Sequence, residues 1–526
     1  MPTSNERLAA SLTVLQQLQG SGRRVFQSSE LTRAHRERLL ESGYLQEVIR
    51  GWLISASPGA RAGDSTPWHA SFWEFCARYS EDRFGEEWHL SPEQSMCVHA
   101  ANTVIPPQAI VNSPKGNNNK MDLLFGTSLF DVKAAQMPPP ADLTVRDGLR
   151  IFTPAAALVR VSESFFRFNP IESRVVLAGV REASDLLRRL LDGGHSVVAG
   201  RLAGAFTSIG RPTVAREIAT TMKAAGYVLR QTDPFTEPQP TTALHVSSPP
   251  TVMRMEAMWK SMRDQVLAVF PKPPGRPRSK GGYMTLIDVI YRRDAYHSLS
   301  IEGYTVTPEL VERVKAGNWD PDKLEADRQS HDALAARGYW QAFEAVKGDV
   351  KQIIAGVNPG ALIRRSHRDW YRQLFEPCVQ AGLLPPGALA GYRNDAVFLR
   401  TSRYVPPRWE AVRDAVPALF DLLEQEPEPG VRAVLGHWMF GYIHPYLDGN
   451  GRIARFLMNA MLASGGYPWT VIRVEDRVPY LAALDRASIG VDIVPFARFL
   501  AERVRMSKQD NEEAWQTPSR PNSTKR

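Results

Sequence analysis

The chain has 526 residues, 43% of them hydrophobic and 23% charged, with 64 Lys and Arg against 56 Asp and Glu for a formal charge of +8. This is the composition of an ordinary globular protein, which excludes collagen-like, low-complexity and disulfide-scaffold chains. The length allows about two to four domains, each able to bury a core. No apolar run reaches the ~18 residues of a membrane span, the first residues lack the basic-then-apolar pattern of a signal peptide, and Cys76, Cys97 and Cys378 have no metal-type spacing. These features predict no membrane contact and a reducing, cytoplasmic setting. The modest positive charge permits nucleic-acid contact without demonstrating it.

Residues 1–60 read as a small helical unit with a β-hairpin. Ser4 can cap a helix carrying Leu8, Leu12, Leu15 and Leu18, and a second helix runs from Leu31 toward Gly43, a natural C-cap. Tyr44–Ser55 reads as the hairpin. Helices followed by such a wing predict a winged helix-turn-helix, with Arg33, His35, Arg36 and Arg38 on the DNA-reading helix. The alternative is a solvated face on a small packing domain, since basic residues barely outnumber acidic ones here.

Residues 61–235 predict a larger α/β region. It has an aromatic helix (Trp68, Phe72, Trp73, Phe75, Tyr79), strands at Val104-Ile105 and Ala109–Val111, and a turn at Lys115–Lys120. A strand enters a helix over Leu149–Arg160, and a broken helical stretch spans Val197–Leu229. The pattern Gly-x-Leu-x-x-Val-x-Arg-Gly-Trp at Gly43–Trp52 resembles the antitoxin of AbiE-type abortive-infection systems. That resemblance implies DNA binding or self-regulation rather than catalysis.

Residues 236–282 read as a linker with one helix, from about Met253 to Phe270, followed by the basic, mobile break Pro271–Gly282. Leu286, Val289, Ile290 and Arg293 then predict a helix over Thr285–Ile301 that ends in Ser298-Leu-Ser-Ile-Glu302-Gly303. Amphipathic helices follow at Thr307–Ala336 and Gly338–Val357. Gly391–Pro407 alternates and predicts a hairpin. A helix over Val431–Ile443 carries His437 as a core histidine.

Next comes His444-Pro-Tyr-Leu-Asp-Gly-Asn-Gly-Arg-Ile-Ala-Arg455. Ile453, Phe456, Leu457, Ala460 and Met461 mark one buried helical face, so the glycine turn sits at a helix N-terminus. Free N–H groups and the positive dipole end favour an anion there, and Gly449 and Gly451 let phosphate approach the backbone. Arg452 and Arg455 are three apart and can both reach a polyphosphate. Asp448 suits Mg²⁺, which takes oxygen ligands from carboxylate and phosphates. His444 is placed to take a proton from an attacking hydroxyl. The lysine followed by Ser or Thr that a Walker A loop requires is missing.

This stretch resembles the signature of the Fic (filamentation induced by cAMP) family, His-x-Phe-x-Asp/Glu-Gly-Asn-Gly-Arg-x-x-Arg, with Tyr446 in place of Phe. The resemblance implies a protein adenylyltransferase that moves AMP from ATP to a Ser, Thr or Tyr hydroxyl of a target protein. It makes His444 the base and Asp448 the Mg²⁺ ligand. The α-phosphate falls to Asn450 and the Gly449 and Gly451 amides, the outer phosphates to Arg452 and Arg455. Ser298, Glu302 and Gly303 match the family's inhibitory helix, whose glutamate pairs with the second arginine. Residues 391–407 become a flap that takes the target as an added strand, with Val397, Phe398, Leu399 and Arg400 as its edge bordering the nucleotide. Tyr480 and Leu484 border the adenine. Ser488 stands where relatives often have Asn.

The whole reads as a multidomain chain. Its C-terminal half is an all-α Fic-like bundle with a β-hairpin flap (283–505), preceded by a winged helix and an α/β domain, and residues 506–526 form a disordered tail. It is a possible homo-oligomer. Two alternatives stand beside the transferase: a DNA-binding transcriptional regulator whose Fic-like domain senses nucleotide, and a toxin–antitoxin fusion.

Overall fold

A computed structural model describes residues 3–20, 22–59, 63–235, 248–317 and 331–516. It divides into two compact units, one of residues 1–257 with 397–406, the other of residues 258–396 with 407–526. The first part of the expected linker, 236–247, lies outside the described residues.

In the first unit, helix Ser4–Gln19 is capped by Thr3, one residue before the expected Ser4, with Glu6 bonding back to the Thr3 N–H. Strands Val25–Gln27, Trp52–Ser55 and Leu45–Ile49 lie antiparallel in that order, and helix Arg33–Glu41 precedes the hairpin. Alternation along these strands serves two cores. Phe26 and Leu53 face Leu15, Leu31 and Leu39, while Val25, Trp52 and Ile54 join Trp68, Phe72 and Phe75 of helix Thr66–Phe84. The expected boundary at residue 60 therefore does not separate two independent cores.

A four-stranded sheet follows, ordered His89–Leu90, Gln108–Ser113, Ser128–Lys133, Asn119–Asp122, with a parallel central pair. Leu149–Phe152 is a strand that leads into helix Pro154–Arg160, and two helices, Ser196–Ser208 and Pro212–Ala224, cover the broken stretch. Val104-Ile105 is not a strand. It is engaged instead by residues 397–406, through Ile105 N–H to Arg403 O at 2.8 Å and the Thr103 hydroxyl to Val405 O.

Nor is 391–407 a hairpin, since none of it is strand. Ser402, Arg403 and Val405 spend their carbonyls on His69, Ile105 and Thr103, Thr401 turns into the left-handed region at φ +63°, and Pro406-Pro407 cannot donate to a ladder.

Helix Pro250–Val269 is core rather than linker. Met253 and Met255 are buried in its first half, Met258, Trp259, Met262 and Val266 in its second. In the first unit Arg254 meets Glu172 at 2.7 Å, both almost fully buried. In the second, Arg263 holds Glu426 through two bonds of 2.8 and 3.0 Å. The break at 271–282 is pinned rather than mobile: Tyr467 donates to Pro271 O, and Gly275 N–H to Gly465 O.

The second unit is helical among its described residues. Helix Lys280–Ile301 leads in, and His331–Ala355 runs unbroken through Gly338, where the sequence predicts a break. The glycine serves packing: a Cβ there would lie 2.0 Å from Leu374 O of helix Pro359–Gln380. Helices Trp409–Gln425 and Pro429–Ile443 precede the central helix Asn450–Ser464. That helix is buried almost all round, including both its arginines. Arg477–Gly490 and Val494–Gln516 close the bundle. The last helix continues past the expected start of a disordered tail at 506, with Ser507 buried. No described helix is long and apolar enough to cross a membrane.

Candidate active site

The site is built where helix Pro429–Ile443 ends and helix Asn450–Ser464 begins. His444 caps the first helix in the left-handed region (φ +51°), its N–H on Phe440 O. Its Nδ1 lies 3.3 Å from Gly441 O. A carbonyl only accepts, so Nδ1 carries the proton and Nε2 the lone pair. Burial drives the imidazole pKa down to about 4; the Gly441 carbonyl opposes this and the Arg393 cation adds to it. His444 is therefore neutral at pH 7.

Two features fix the turn. Gly449 sits at φ +81°, and a Cβ there would meet Phe375 at 2.8 Å. Asn450, 2% exposed, accepts from Tyr446 N–H at 2.9 Å and donates to Tyr446 O at 2.8 Å. Its carboxamide is thus spent pinning the turn, rather than facing outward to a phosphate. Tyr446 stacks on Tyr371 with ring centroids 3.9 Å apart, filling the place of the expected phenyl ring. Its hydroxyl is buried with no hydrogen-bond partner.

Asp448 is exposed, accepts Gly449 N–H at 2.6 Å and takes a 3.1 Å bond from Arg452. Arg452 is 1% exposed, between the rings of Tyr304 (5.2 Å) and Phe375 (5.0 Å). Arg455 is 3% exposed; its Nε donates to Ser298 Oγ at 2.8 Å, one terminal nitrogen to Ser298 O at 3.0 Å and to Glu302 Oε1 at 2.6 Å. Burial would raise the Glu302 pKa, but the Arg455 and Arg452 cations hold it below the usual carboxylate range. The other terminal nitrogen of Arg455 and the Nε of Arg452 have no partner. Free backbone N–H groups and two cations with donors to spare thus converge on one helix N-terminus.

Residues 361–462 match the family model described as Fic/DOC family. This segment is a Fic domain. The chain is 46% identical over 216 residues to a "Protein adenylyltransferase Fic" of Nematostella vectensis, covering 40% of this chain and 46% of that protein. It is 35% identical over 111 residues to "Protein adenylyltransferase fic-1" of Caenorhabditis elegans, covering 20% and 22%. The chain thus spans less than half the length of these curated relatives. A solved structure of Fic-1 residues 134–508 from C. elegans aligns with 63% of this chain and 93% of its own, at 19% identity and a TM-score of 0.37.

The Fic domain has one positioning residue that sequence reasoning missed. Arg393, 2% exposed, donates from Nε to His444 O at 2.8 Å and from its terminal nitrogens to Asp395 O and Pro407 O, while its N–H meets Pro445 O. It grips the backbone at the base from 51 residues upstream. No local pattern marks such a residue.

Tyr480 is buried with its hydroxyl 2.8 Å from His437 Nε2, and Leu484 is half-buried. Ser488 accepts from Trp438 Nε1 and donates to Leu484 O.

Val397, Phe398, Leu399 and Arg400 belong to the first unit, where Phe398 lies under Arg24 and Arg400 approaches Asp64 at 3.7 Å. In the same unit Arg33 is exposed and paired with Glu37, Arg36 donates to Ser28 O, and Arg38 donates to Arg7 O and Ser11 Oγ. Arg36 and Arg38 are thus partly spent inside the unit. Among the described residues no three His, Cys, Asp or Glu side chains group for a metal.

Proposed function

We propose that this chain is a protein adenylyltransferase that transfers AMP from ATP to a Ser, Thr or Tyr hydroxyl of a target protein, and that Glu302 restrains it. The observation that carries the reading is a neutral His444, an N–H-lined turn and two buried arginines at one helix N-terminus, within a stretch that matches the Fic family.

His444 Nε2 takes the proton of the attacking hydroxyl. That oxygen bonds to the α-phosphorus as the bond to the bridging oxygen breaks, and pyrophosphate leaves. The Gly451 amide and its neighbours hold the α-phosphate, while Arg452 and Arg455 hold the outer phosphates. Asn450 contributes by fixing the turn that presents those amides.

One exposed carboxylate, Asp448, fits Mg²⁺, which is held by one or two carboxylates together with substrate phosphates. Bound there, the ion would supply charge neutralisation on the polyphosphate. Glu302 opposes the reaction directly: its carboxylate holds one terminal nitrogen of Arg455 and repels a phosphate that approaches the other. Tyr480 and Leu484 would border the adenine.

The test is intact-mass analysis after incubation with ATP and Mg²⁺. Glu302→Gly gains the mass of AMP, on itself or on a protein in a cell lysate, and Glu302→Gly with His444→Ala does not. Absence of AMP in both settings would reject the transferase.

A further inference from the structure

Helix Lys280–Ile301 does not simply stop at Glu302. Gly303 turns left-handed at φ +95°, its N–H meets Ser300 O at 3.0 Å, and Tyr304 N–H meets Leu299 O at 3.2 Å. This pair of bonds is a Schellman closure, which fixes where the residue after the glycine emerges. Tyr304 is held further by a stack on His331, centroids 5.2 Å apart, and Thr305 N–H bonds Asp332 at 3.2 Å. The turn thereby sends two side chains to one helix. Glu302 reaches Arg455, and the Tyr304 ring lies over the Arg452 guanidinium, which Phe375 backs at 5.0 Å.

An arginine at 1% exposure cannot touch a ligand until something covering it moves. Phe375 belongs to helix Pro359–Gln380 and also fills the space beside Gly449, so it is a fixed wall. Tyr304 is the half-buried, loop-borne side of the sandwich. We propose that Tyr304 is a second restraint, acting on Arg452 as Glu302 acts on Arg455, so that one turn withholds both cations from an anionic ligand. The proposal rests on the adenylyltransferase reading for its purpose but not for its geometry. It implies that removing Glu302 frees one arginine and leaves the other covered.

Arginine-selective labelling with phenylglyoxal, mapped by peptide mass, reads this without any need for catalysis. The full chain is compared with Glu302→Gly, Tyr304→Ala, Tyr304→Phe and the double variant Glu302→Gly with Tyr304→Ala. Both arginines are protected in the wild type. Glu302→Gly exposes Arg455 alone, Tyr304→Ala exposes Arg452 alone, the double variant exposes both, and Tyr304→Phe, which keeps the ring, protects as the wild type does. Titration with ATP and Mg²⁺ then gives the double variant about 2- to 30-fold higher affinity than Glu302→Gly, the range of one released cation–π contact.

Arg452 reacting in Glu302→Gly, or staying protected in Tyr304→Ala, overturns the proposal. Should Tyr304→Ala label throughout as an unfolded chain, Tyr304→Leu replaces it, with the same expectation for Arg452 at partial reactivity; full protection there also overturns it. Labelling that follows the predicted pattern while no variant carries AMP would retain the double restraint and reject the transferase.

Discussion

A Cβ on Gly451 would lie 2.2 Å from Oε1 of Glu302. The glutamate reaches Arg455 only because the motif helix has no side chain at this point in its first turn. Gly451→Ala should therefore push the flexible carboxylate off Arg455 and also place a methyl where phosphate must approach. The expected result is an Arg455 that labels with phenylglyoxal, as in Glu302→Gly, but a chain that carries no AMP in the mass assay. An Arg455 that stays protected would contradict this account of the glycine.

Glu302→Gln keeps the shape of the side chain and removes its charge. Arg455 is then a nearly buried cation with weaker hydrogen bonds. Because Glu302 is partly exposed, the cost should be modest, about 1–3 kcal/mol, measured as a lower urea midpoint at unchanged m-value. A stability unchanged within error would mean that the pair contributes nothing to folding.

Tyr446 carries a buried hydroxyl with no partner. Tyr446→Phe keeps the stack on Tyr371 and removes that orphaned group, so the fold should be as stable or more stable by about 1 kcal/mol. AMP transfer should be unchanged. A loss of stability in chemical denaturation would show that the hydroxyl has a role.

Arg393→Ala leaves the carbonyls of His444, Asp395 and Pro407 without their donor. We expect a loss of about 2–4 kcal/mol, with kcat falling more than the affinity for ATP, because the backbone beneath the base loosens. Lysine should not rescue it, since an ammonium cannot serve three carbonyls in the plane of a fork.

Burial lowers the pKa values of His444 and His367 to about 4 and that of His437 to about 3. Each lies below the unfolded value of 6.5, so the unfolded chain binds more protons below that pH. Stability should be full above pH ~6.5 and fall as pH drops toward 4, seen as a falling urea midpoint. For the free Glu302→Gly enzyme, the acidic limb of kcat/KM should lie well below 6.5. A limb centred at 6.5 would mean that the base is as solvated as a free imidazole.

The sequence by itself determined the motif and its helix. Gly449, Asn450 and Gly451 could only open a helix there, and the spacing of Ile453, Phe456, Leu457, Ala460 and Met461 could only bury it, because both are consequences of local backbone geometry. The resemblance of Ser298–Gly303 to the Fic family's inhibitory helix implied a Glu302–Arg455 pair, and the two side chains meet at 2.6 Å in the fold. The tertiary structure alone decided what has no local cause. Arg393 meets His444 across 51 residues, Tyr304 covers Arg452 across 148, and the carbonyls of Ser402, Arg403 and Val405 bond His69, Ile105 and Thr103 instead of forming a hairpin. A strand-like alternation says only that a segment can pair. Which donors reach its carbonyls first depends on where distant residues are held, and no spacing within the segment encodes that.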